Sequence, residues 1–381
     1  MKILYIGRFN LPQDAASLRV YHIGRALKIK GHQVDYLCQD GFIHNNREML
    51  DGSVYYGVYN SKSGRVKRYA DWMFGSRTVY ALKKILDKEN YDAIVLYNVS
   101  SALCSRVMKI CRPKTIAVVQ DVTEWYEIGH GRGIFASLYA ILVDRRIRLY
   151  DKKSSGVIAI SRYLSDYYKD KVKTIRIPPI FSGNALQNQS ANEGCPKFIY
   201  AGSPGKKDEL NLFLEAIKTI NQNSIRAYMT LIGAPIPLDC KSQQLKGIVY
   251  FPRMTNKEVI EKIGQHDFTV LLRRNKQFSK AGYSTKIAES LFNGTPVFCN
   301  EIGGADLDVV EGKTGVKIKS LDIEVIISAL NEIIEMSPQK ITEMKVKSYS
   351  FGKSEYAAES YADCLDAFFL DCVNNRKSRN E

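Results

Sequence analysis

Glu289 stands four residues after Thr285, in the stretch Ala281-Gly282-Tyr283-Ser284-Thr285-Lys286-Ile287-Ala288-Glu289. Ser284 or Thr285 can cap a helix running through Lys286 to Phe292. On that helix Glu289 shares a face with Thr285, about 6 Å further along the axis at 1.5 Å per residue. Backbone N–H groups and the helix dipole favour an anion at a helix start. A carboxylate one turn on accepts hydrogen bonds from two vicinal hydroxyls. The spacing therefore suits the phosphate and the ribose of one nucleotide. A solvated glutamate that complements the helix dipole has the same spacing.

The flanks of this stretch position it. Phe268 to Leu272 predicts a strand, with Arg273 and Arg274 adding charge at its end, and Asn293-Gly294 is a helix stop. Pro296 to Cys299 predicts the next strand. A second anion-binding candidate follows the apolar run Lys197 to Ala201, in Gly202-Ser203-Pro204-Gly205-Lys206-Lys207-Asp208. There, backbone N–H groups around Gly205 can converge with the Lys206 and Lys207 ammonium ions on a pyrophosphate; a surface turn with solvated lysines is the plainer reading.

The first half offers fewer reactive groups. Asp121 and Glu124 follow a strand predicted over Thr115 to Val119. At the carboxyl end of a strand in a doubly wound sheet they would face a cleft, as catalytic or acceptor-side groups, unless they only cap and close a loop. Gly7 and Arg8, after the opening strand Lys2 to Ile6, are acceptor-side candidates on the same ground. No GxGxxG follows that strand, so a dinucleotide cofactor is not indicated. His32, at a helix–strand turn, reads as structural.

At 381 residues the chain fits two domains of roughly 150 to 200 residues each. The predicted division is an α/β Rossmann-like domain over 1–181, a polar Ser/Asn/Gln-rich linker over 182–195, and a second Rossmann-like domain over 196–350. A C-terminal helical segment over 351–381 would return to the first domain; Ser354 to Cys372 has helical apolar spacing through Tyr361, Leu365 and Phe368. Ser61 to Glu89 predicts a basic helical segment interrupted at Trp72-Met73-Phe74.

Residues 1–180 hold 30 Lys and Arg against 16 Asp and Glu, whereas residues 181–381 hold 25 against 24. The first half therefore carries almost all of the net +15, which points to nucleic acid, an anionic membrane face or a pyrophosphate-bearing acceptor. No nucleic-acid module accompanies the charge. The eight cysteines are scattered, without a zinc or disulfide framework, which fits a reducing cytoplasm. No apolar run reaches the roughly 18 residues of a membrane span. Ile134 to Val143, ten uncharged residues before Asp144-Arg145-Arg146, reads as a core helix with a basic end or as an interfacial one.

The stretch 281–289, with Gly294-Thr295-Pro296-Val297 after it and Gly303-Gly304 beyond, resembles glycosyltransferases of family 4. It is most similar to a branch common among bacterial surface-polysaccharide transferases. Glu289 matches the second glutamate of the family's Glu-x7-Glu pair; Ala281 stands where the first would be. Lys207 or its neighbour matches the lysine that meets the donor diphosphate, and Ser203 replaces an expected arginine. Gly31-His32-Gln33-Val34 is similar to the family's amino-terminal GHxV. The resemblance implies a GT-B fold, two Rossmann-like domains facing a central cleft. It implies a sugar nucleotide held by Gly205, Lys206, Arg273, Gly282, Tyr283, Ser284, Thr285 and Glu289, with Lys207 stabilising the leaving diphosphate. Asp306-Leu307-Asp308 spells the DxD of metal-dependent transferases but follows Gly-Gly in a loop of a domain that needs no metal, so neither a metal nor another cofactor is expected.

The expected activity is transfer of a sugar from a nucleotide-diphosphate donor to a hydroxyl of a glycan or polyprenyl-pyrophosphate-linked glycan, with retention, by a cytoplasmic or peripheral membrane enzyme. A GT-B-like nucleotide-sugar epimerase is one rival, but it leaves the basic first half unexplained. A non-catalytic basic protein binding membrane or RNA is the other, and it leaves both Rossmann-like halves without a role.

Overall fold

The computed structural model describes the chain apart from residues 10, 12–14, 43–46, 49–50, 61, 127–133, 184–193, 205–207, 235–245 and 379–381. It divides into two compact units. The first comprises Met1–Ser182, Ala281–Tyr283 and Ala358–Glu381; the second comprises Gly183–Lys280 and Ser284–Ala357. Most of the expected linker, 182–195, lies outside the described residues.

The first unit begins β1 (Lys2–Gly7), α1 (Ala15–Ile29), β2 (Gln33–Phe42), β3 (Arg47–Glu48), β4 (Val54–Tyr59), α2 (Arg65–Phe74), α3 (Ser76–Leu86) and β5 (Ala93–Tyr97). It continues α4 (Ser101–Cys111), β6 (Ala117–Val122), α5 (Ile134–Arg145), β7 (Gly156–Ala159), α6 (Arg162–Tyr168) and β8 (Thr174–Arg176). Among the described residues the strands form one sheet in the order β3-β4-β2-β1-β5-β6-β7-β8. All pairings are parallel except that of β3 with β4. Strands buried on both faces read as continuous apolar runs, as β1 does. Its side chains alternate between two cores: Ile3 and Tyr5 join α1 on one face, Leu4 and Ile6 join α3 and α4 on the other.

Two sequence boundaries move for identifiable reasons. The helical segment expected from Ser61 to Glu89 breaks at Gly75, not at Trp72. Gly75 has φ +69°, and a side chain there would collide with Leu103. Asp71, one turn earlier, caps α3 by accepting from the Arg77 and Thr78 N–H groups at 2.7 and 3.3 Å. The strand expected to stop at Val119 runs on to Val122, because Gln120 and Asp121 find buried partners.

The second unit contains β9 (Lys197–Ala201), α7 (Leu210–Ile220), β10 (Tyr228–Ile232), β11 (Ile248–Phe251), α8 (Asn256–Gly264), β12 (Phe268–Leu271) and all but the last residue of α9 (Gln277–Ala281). After these come α10 (Thr285–Phe292), β13 (Val297–Asn300), β14 (Gly315–Ile318), α11 (Ile323–Ile334) and α12 (Pro338–Tyr356). Its parallel strands lie in the order β11-β10-β9-β12-β13-β14. Phe198, Phe213, Phe268 and Phe298 form its aromatic core.

The expected helix from Ser354 to Cys372 is in fact two. α12 ends before Ala357, whose backbone is extended (ψ 130°), and α13 (Ala362–Ser378) belongs to the first unit. There Leu365, Phe368, Phe369 and Cys372 pack with α1 and the strands. His32 accordingly serves structure, with Nε2 2.8 Å from Asp366 Oδ1.

Gly352 on α12 decides where α10 sits. A Cβ at Gly352 would lie 2.2 Å from the Leu291 carbonyl oxygen and 2.5 Å from the Phe292 nitrogen, so only glycine lets the two helix backbones meet this closely. Gly352→Ala should therefore force α10 and α12 apart and lower stability by about 2 kcal/mol, as measured by denaturant unfolding, despite alanine's higher helix propensity.

Candidate active site

In a doubly wound sheet the point where strand order reverses opens a crevice at the carboxyl ends of the strands. In the second unit that point lies between β9 and β12. Tyr200 lies near the end of β9, Arg273 follows β12, and Asp208 bridges to Arg273 through a backbone pairing. The Asp208 carboxylate gathers the cluster: Oδ1 accepts from Arg273 Nε at 2.8 Å, and Oδ2 accepts from Lys286 Nζ at 2.7 Å and the Tyr200 hydroxyl at 2.6 Å. Lys286 also donates to the Tyr200 oxygen at 2.8 Å. Asn300 fixes the backbone of Arg273 from both sides, accepting from its N–H at 2.8 Å and donating to its carbonyl at 2.9 Å. Gly202, with φ +115°, leaves the space beside Lys286 Cε that a side chain would occupy.

Ser284 is the N-cap of α10 and makes no side-chain cap bond. Its Oγ is buried and has no hydrogen-bond partner among the described residues. A buried hydroxyl at a helix start, without a partner among the described residues, is available to hydrogen-bond a bound group. Thr285 opens the helix, so the helix dipole favours an anion beside this hydroxyl.

The ionisation of the cluster follows its geometry. Burial alone would raise the Asp208 carboxyl, but Arg273 and Lys286 outweigh it and hold it below the usual range. Desolvation lowers the Lys286 ammonium, and Arg273 adds to this, against the pull of Asp208. Glu289 keeps some surface exposure but is crowded by protein. Desolvation pushes its carboxyl up to about 7, and nearby Lys286 only partly offsets this. Glu289 thus sits near half-ionisation at neutral pH, ready to become a full acceptor when hydroxyl donors approach.

The Gly303-Gly304 loop is held by Asp306, whose carboxylate accepts from the Ile302, Gly303 and Gly304 N–H groups at 3.1, 3.3 and 2.7 Å. The first aspartate of the DxD is thereby a loop staple.

Gly205, Lys206 and Lys207 lie outside the described residues. Gly282 and Tyr283 group with the first unit, while Ser284, Thr285 and Glu289 belong to the second. Asp121 requires a correction. It lies inside β6, fully buried, with Arg19 donating to Oδ1 from Nη2 at 2.8 Å and the Tyr5 hydroxyl donating to Oδ2 at 3.0 Å. Arg19 also donates to the Ile177 and Pro178 carbonyls. A carboxylate held on both oxygens in the core ties α1 to the sheet and cannot serve an acceptor; Asp121 is a positioning residue. Glu124 lies beyond β6 and accepts from the Tyr126 hydroxyl. Its loop is set by Asn98, which accepts from the Thr123 N–H at 3.1 Å.

Gly7 and Arg8 occupy the switch point of the first sheet, between β1 and β5. A Cβ at Gly7 would lie 2.6 Å from the Tyr97 carbonyl oxygen, so glycine is required for the close strand ends. Tyr200, Asp208 and Lys286 were missed as site residues. Lys286 lies inside the quoted stretch, but its role depends on an aspartate 78 positions away.

The model for group 1 glycosyl transferases matches residues 195–336 and that for Glycosyltransferase Family 4 matches residues 16–180. No curated protein matches the chain. Among solved structures, sucrose-phosphate synthase from Thermosynechococcus elongatus is similar with a TM-score of 0.75 at 13% identity, covering 98% of this chain and 99% of that one. Anabaena HepE in complex with UDP-glucose gives 0.63 at 12%, covering 99% and 100%. The lipopolysaccharide outer core galactosyltransferase WaaB gives 0.60 at 12%, covering all of both chains. The two Rossmann-like units are those of the GT-B fold.

Asp208→Asn should leave Lys286 and Arg273 as uncompensated, largely buried cations. The expected cost is about 3 kcal/mol of stability, measured by urea unfolding, with part recovered on adding Lys286→Met.

Proposed function

The chain belongs to the group 1, family 4 glycosyltransferases, and on that premise we propose that it transfers a sugar from a nucleotide diphosphate to a hydroxyl of a glycan or lipid-linked glycan. We assign the reaction to cell-surface polysaccharide synthesis, with retention at the anomeric carbon. The observation that carries the donor assignment is the start of α10. The partnerless Ser284 Oγ, Thr285 and Lys286 suit a phosphate, and Glu289 one turn on suits the ribose. HepE, of the same fold, was solved with UDP-glucose, and WaaB is a lipopolysaccharide galactosyltransferase; both support the reading.

In the proposed reaction the bond from the anomeric carbon to the diphosphate oxygen breaks as the acceptor oxygen bonds to that carbon. The acceptor proton leaves with the diphosphate. Negative charge builds on the leaving group, and fixed cations and amide dipoles stabilise it most where water is excluded. Lys286 and Arg273, held by Asp208, are placed to supply that field, with Gly205, Lys206 and Lys207 assigned to the same diphosphate. No metal is required in this scheme, since Asp306 of the DxD is engaged by three backbone amides. A nucleotide-sugar epimerase would use the same donor site without an acceptor.

Glu289→Gln should weaken nucleoside-diphosphate binding at least tenfold, since charge-assisted hydrogen bonds contribute roughly 1.5 to 3 kcal/mol each. Titration calorimetry of the folded variant checks this; unchanged affinity would remove Glu289 from the donor site.

The basic first half supports an acceptor at an anionic leaflet. On α2 and α3 the exposed Arg65, Lys67, Arg77, Lys83 and Lys84 alternate with Val66, Tyr69, Phe74 and Tyr80, which are 76%, 45%, 48% and 62% exposed. On α5, Leu138 and Ile141 are also exposed, while Ala140 and Val143 are buried. No described helix is long and apolar enough to cross a membrane. Cations at an anionic surface contribute about 1 kcal/mol each. The protein should sediment with anionic vesicles at low salt and be released near about 0.5 M salt; equal sedimentation with neutral vesicles would favour a water-soluble acceptor.

A further inference from the structure

At the switch point of the first sheet, Arg8 lies over Trp72, its guanidinium carbon 3.5 Å from the ring centroid. Trp72 is fixed in turn, donating from Nε1 to Asp40 Oδ1 at 2.8 Å, and Tyr69 packs edge-on against it at 4.6 Å. Arg8 Nε is 3.7 Å from Asp40 Oδ2, beyond hydrogen-bond reach, and has no other acceptor among the described residues. Arg68, on the same helix as Trp72, also acts on Asp40, and its buried Nε likewise has no acceptor. Two guanidinium groups therefore share one carboxylate, with Tyr139 also beside Arg8, and the Nε of each has no partner among the described residues.

A protein stabilises little by sheltering donors that nothing accepts. Stacking holds a guanidinium in place without using its N–H donors, and the planar guanidinium fork matches the oxygens of a phosphate. The single carboxylate leaves a positive balance that an anion would complete. α2 is itself fixed, with Ser100 Oγ donating to the Met73 carbonyl at 2.7 Å and Asp71 capping α3, so Arg68 and Trp72 are presented on a rigid element.

We infer that Arg8, Arg68 and Trp72 form a recognition site for the phosphate or pyrophosphate group of the acceptor. This rests on the reading that the first unit takes the acceptor. Either a lipid-linked pyrophosphate or a water-soluble sugar phosphate carries the required chemistry.

Trp72 is one of two tryptophans in the chain and serves as a local reporter, because an anion drawing on Arg8 alters the ring stacked beneath it. Tryptophan fluorescence of the full chain would be titrated with inorganic pyrophosphate, geranyl pyrophosphate and glucose 1-phosphate. The expected result is a saturable change that disappears in Trp72→Phe. The midpoint should move at least about fivefold higher in Arg68→Gln, and less in Arg68→Lys, which keeps the charge but not the fork. Tighter binding of geranyl pyrophosphate than of inorganic pyrophosphate identifies a lipid-linked source; parity of glucose 1-phosphate with both identifies a water-soluble one. No Trp72-dependent change, or an unaltered midpoint in folded Arg68→Gln, overturns the site. Donor hydrolysis by the same preparation reads the transferase assignment separately. Hydrolysis with a silent Trp72 removes only the acceptor site, and a Trp72 response with no donor hydrolysis or binding removes only the donor reading.

Discussion

A single buried carboxylate, Asp208, makes it possible to keep two cations where two strands of the second sheet diverge. Without it, Arg273 and Lys286 would repel each other in a desolvated place. With it, each cation is fixed at 2.7 to 2.8 Å from an oxygen, and Tyr200 supplies a further hydrogen bond. The cluster retains a net positive charge beside the start of α10, so an anion finds the field already in place and little reorganisation is needed on binding. Gly352 and Gly202 serve the same end from outside the cluster. One lets α12 press α10 into position, and the other leaves room for the Lys286 stem.

The first unit solves the matching problem differently. Its switch point carries Arg8 supported by an aromatic ring, while the acid closest in sequence to the expected chemistry, Asp121, is consumed in the core by Arg19. The Arg19–Asp121 pair joins α1, β6 and the segment at Ile177–Pro178. Tyr5 of β1 donates to the same carboxylate, so the first strand is tied to it as well. Charge in this unit thus has two uses, buried pairs that fix the scaffold and exposed cations on α2 and α3.

Local features of the second half were legible from the sequence. The helix through Thr285 to Phe292, its stop at Gly294, and the flanking strands follow from capping residues and apolar runs that act within a few positions. The two-sheet α/β architecture was legible for the same reason, since buried parallel strands are short uninterrupted apolar runs. What was not legible depends on distant partners. Asp121 read as a loop residue because polarity begins at Gln120; the arginine that buries it lies 102 positions earlier. The partnership of Lys286 with Asp208 spans 78 positions and leaves no periodic trace. The break at Gly75 rests on a positive φ that a lone glycine beside Trp72-Met73-Phe74 does not disclose.

Glu289 connects the donor site to solution chemistry. Its carboxyl is raised from 4.5 to about 7 by desolvation. Between about pH 4.5 and 7 the folded, free protein therefore tends to keep a proton there that the unfolded chain has released, and its contribution to stability falls as pH rises through that window. A bound ribose reverses the preference, because hydroxyl donors select the carboxylate. The most direct measurement is the pH dependence of nucleoside-diphosphate binding, by calorimetry in two buffers of different ionisation enthalpy. The account predicts that binding releases a proton below pH 7, that affinity rises from pH 6 to 8 beyond the change due to the nucleotide's own phosphate, and that Glu289→Gln abolishes that excess. Binding with no proton release, or the same pH profile in Glu289→Gln, would contradict it.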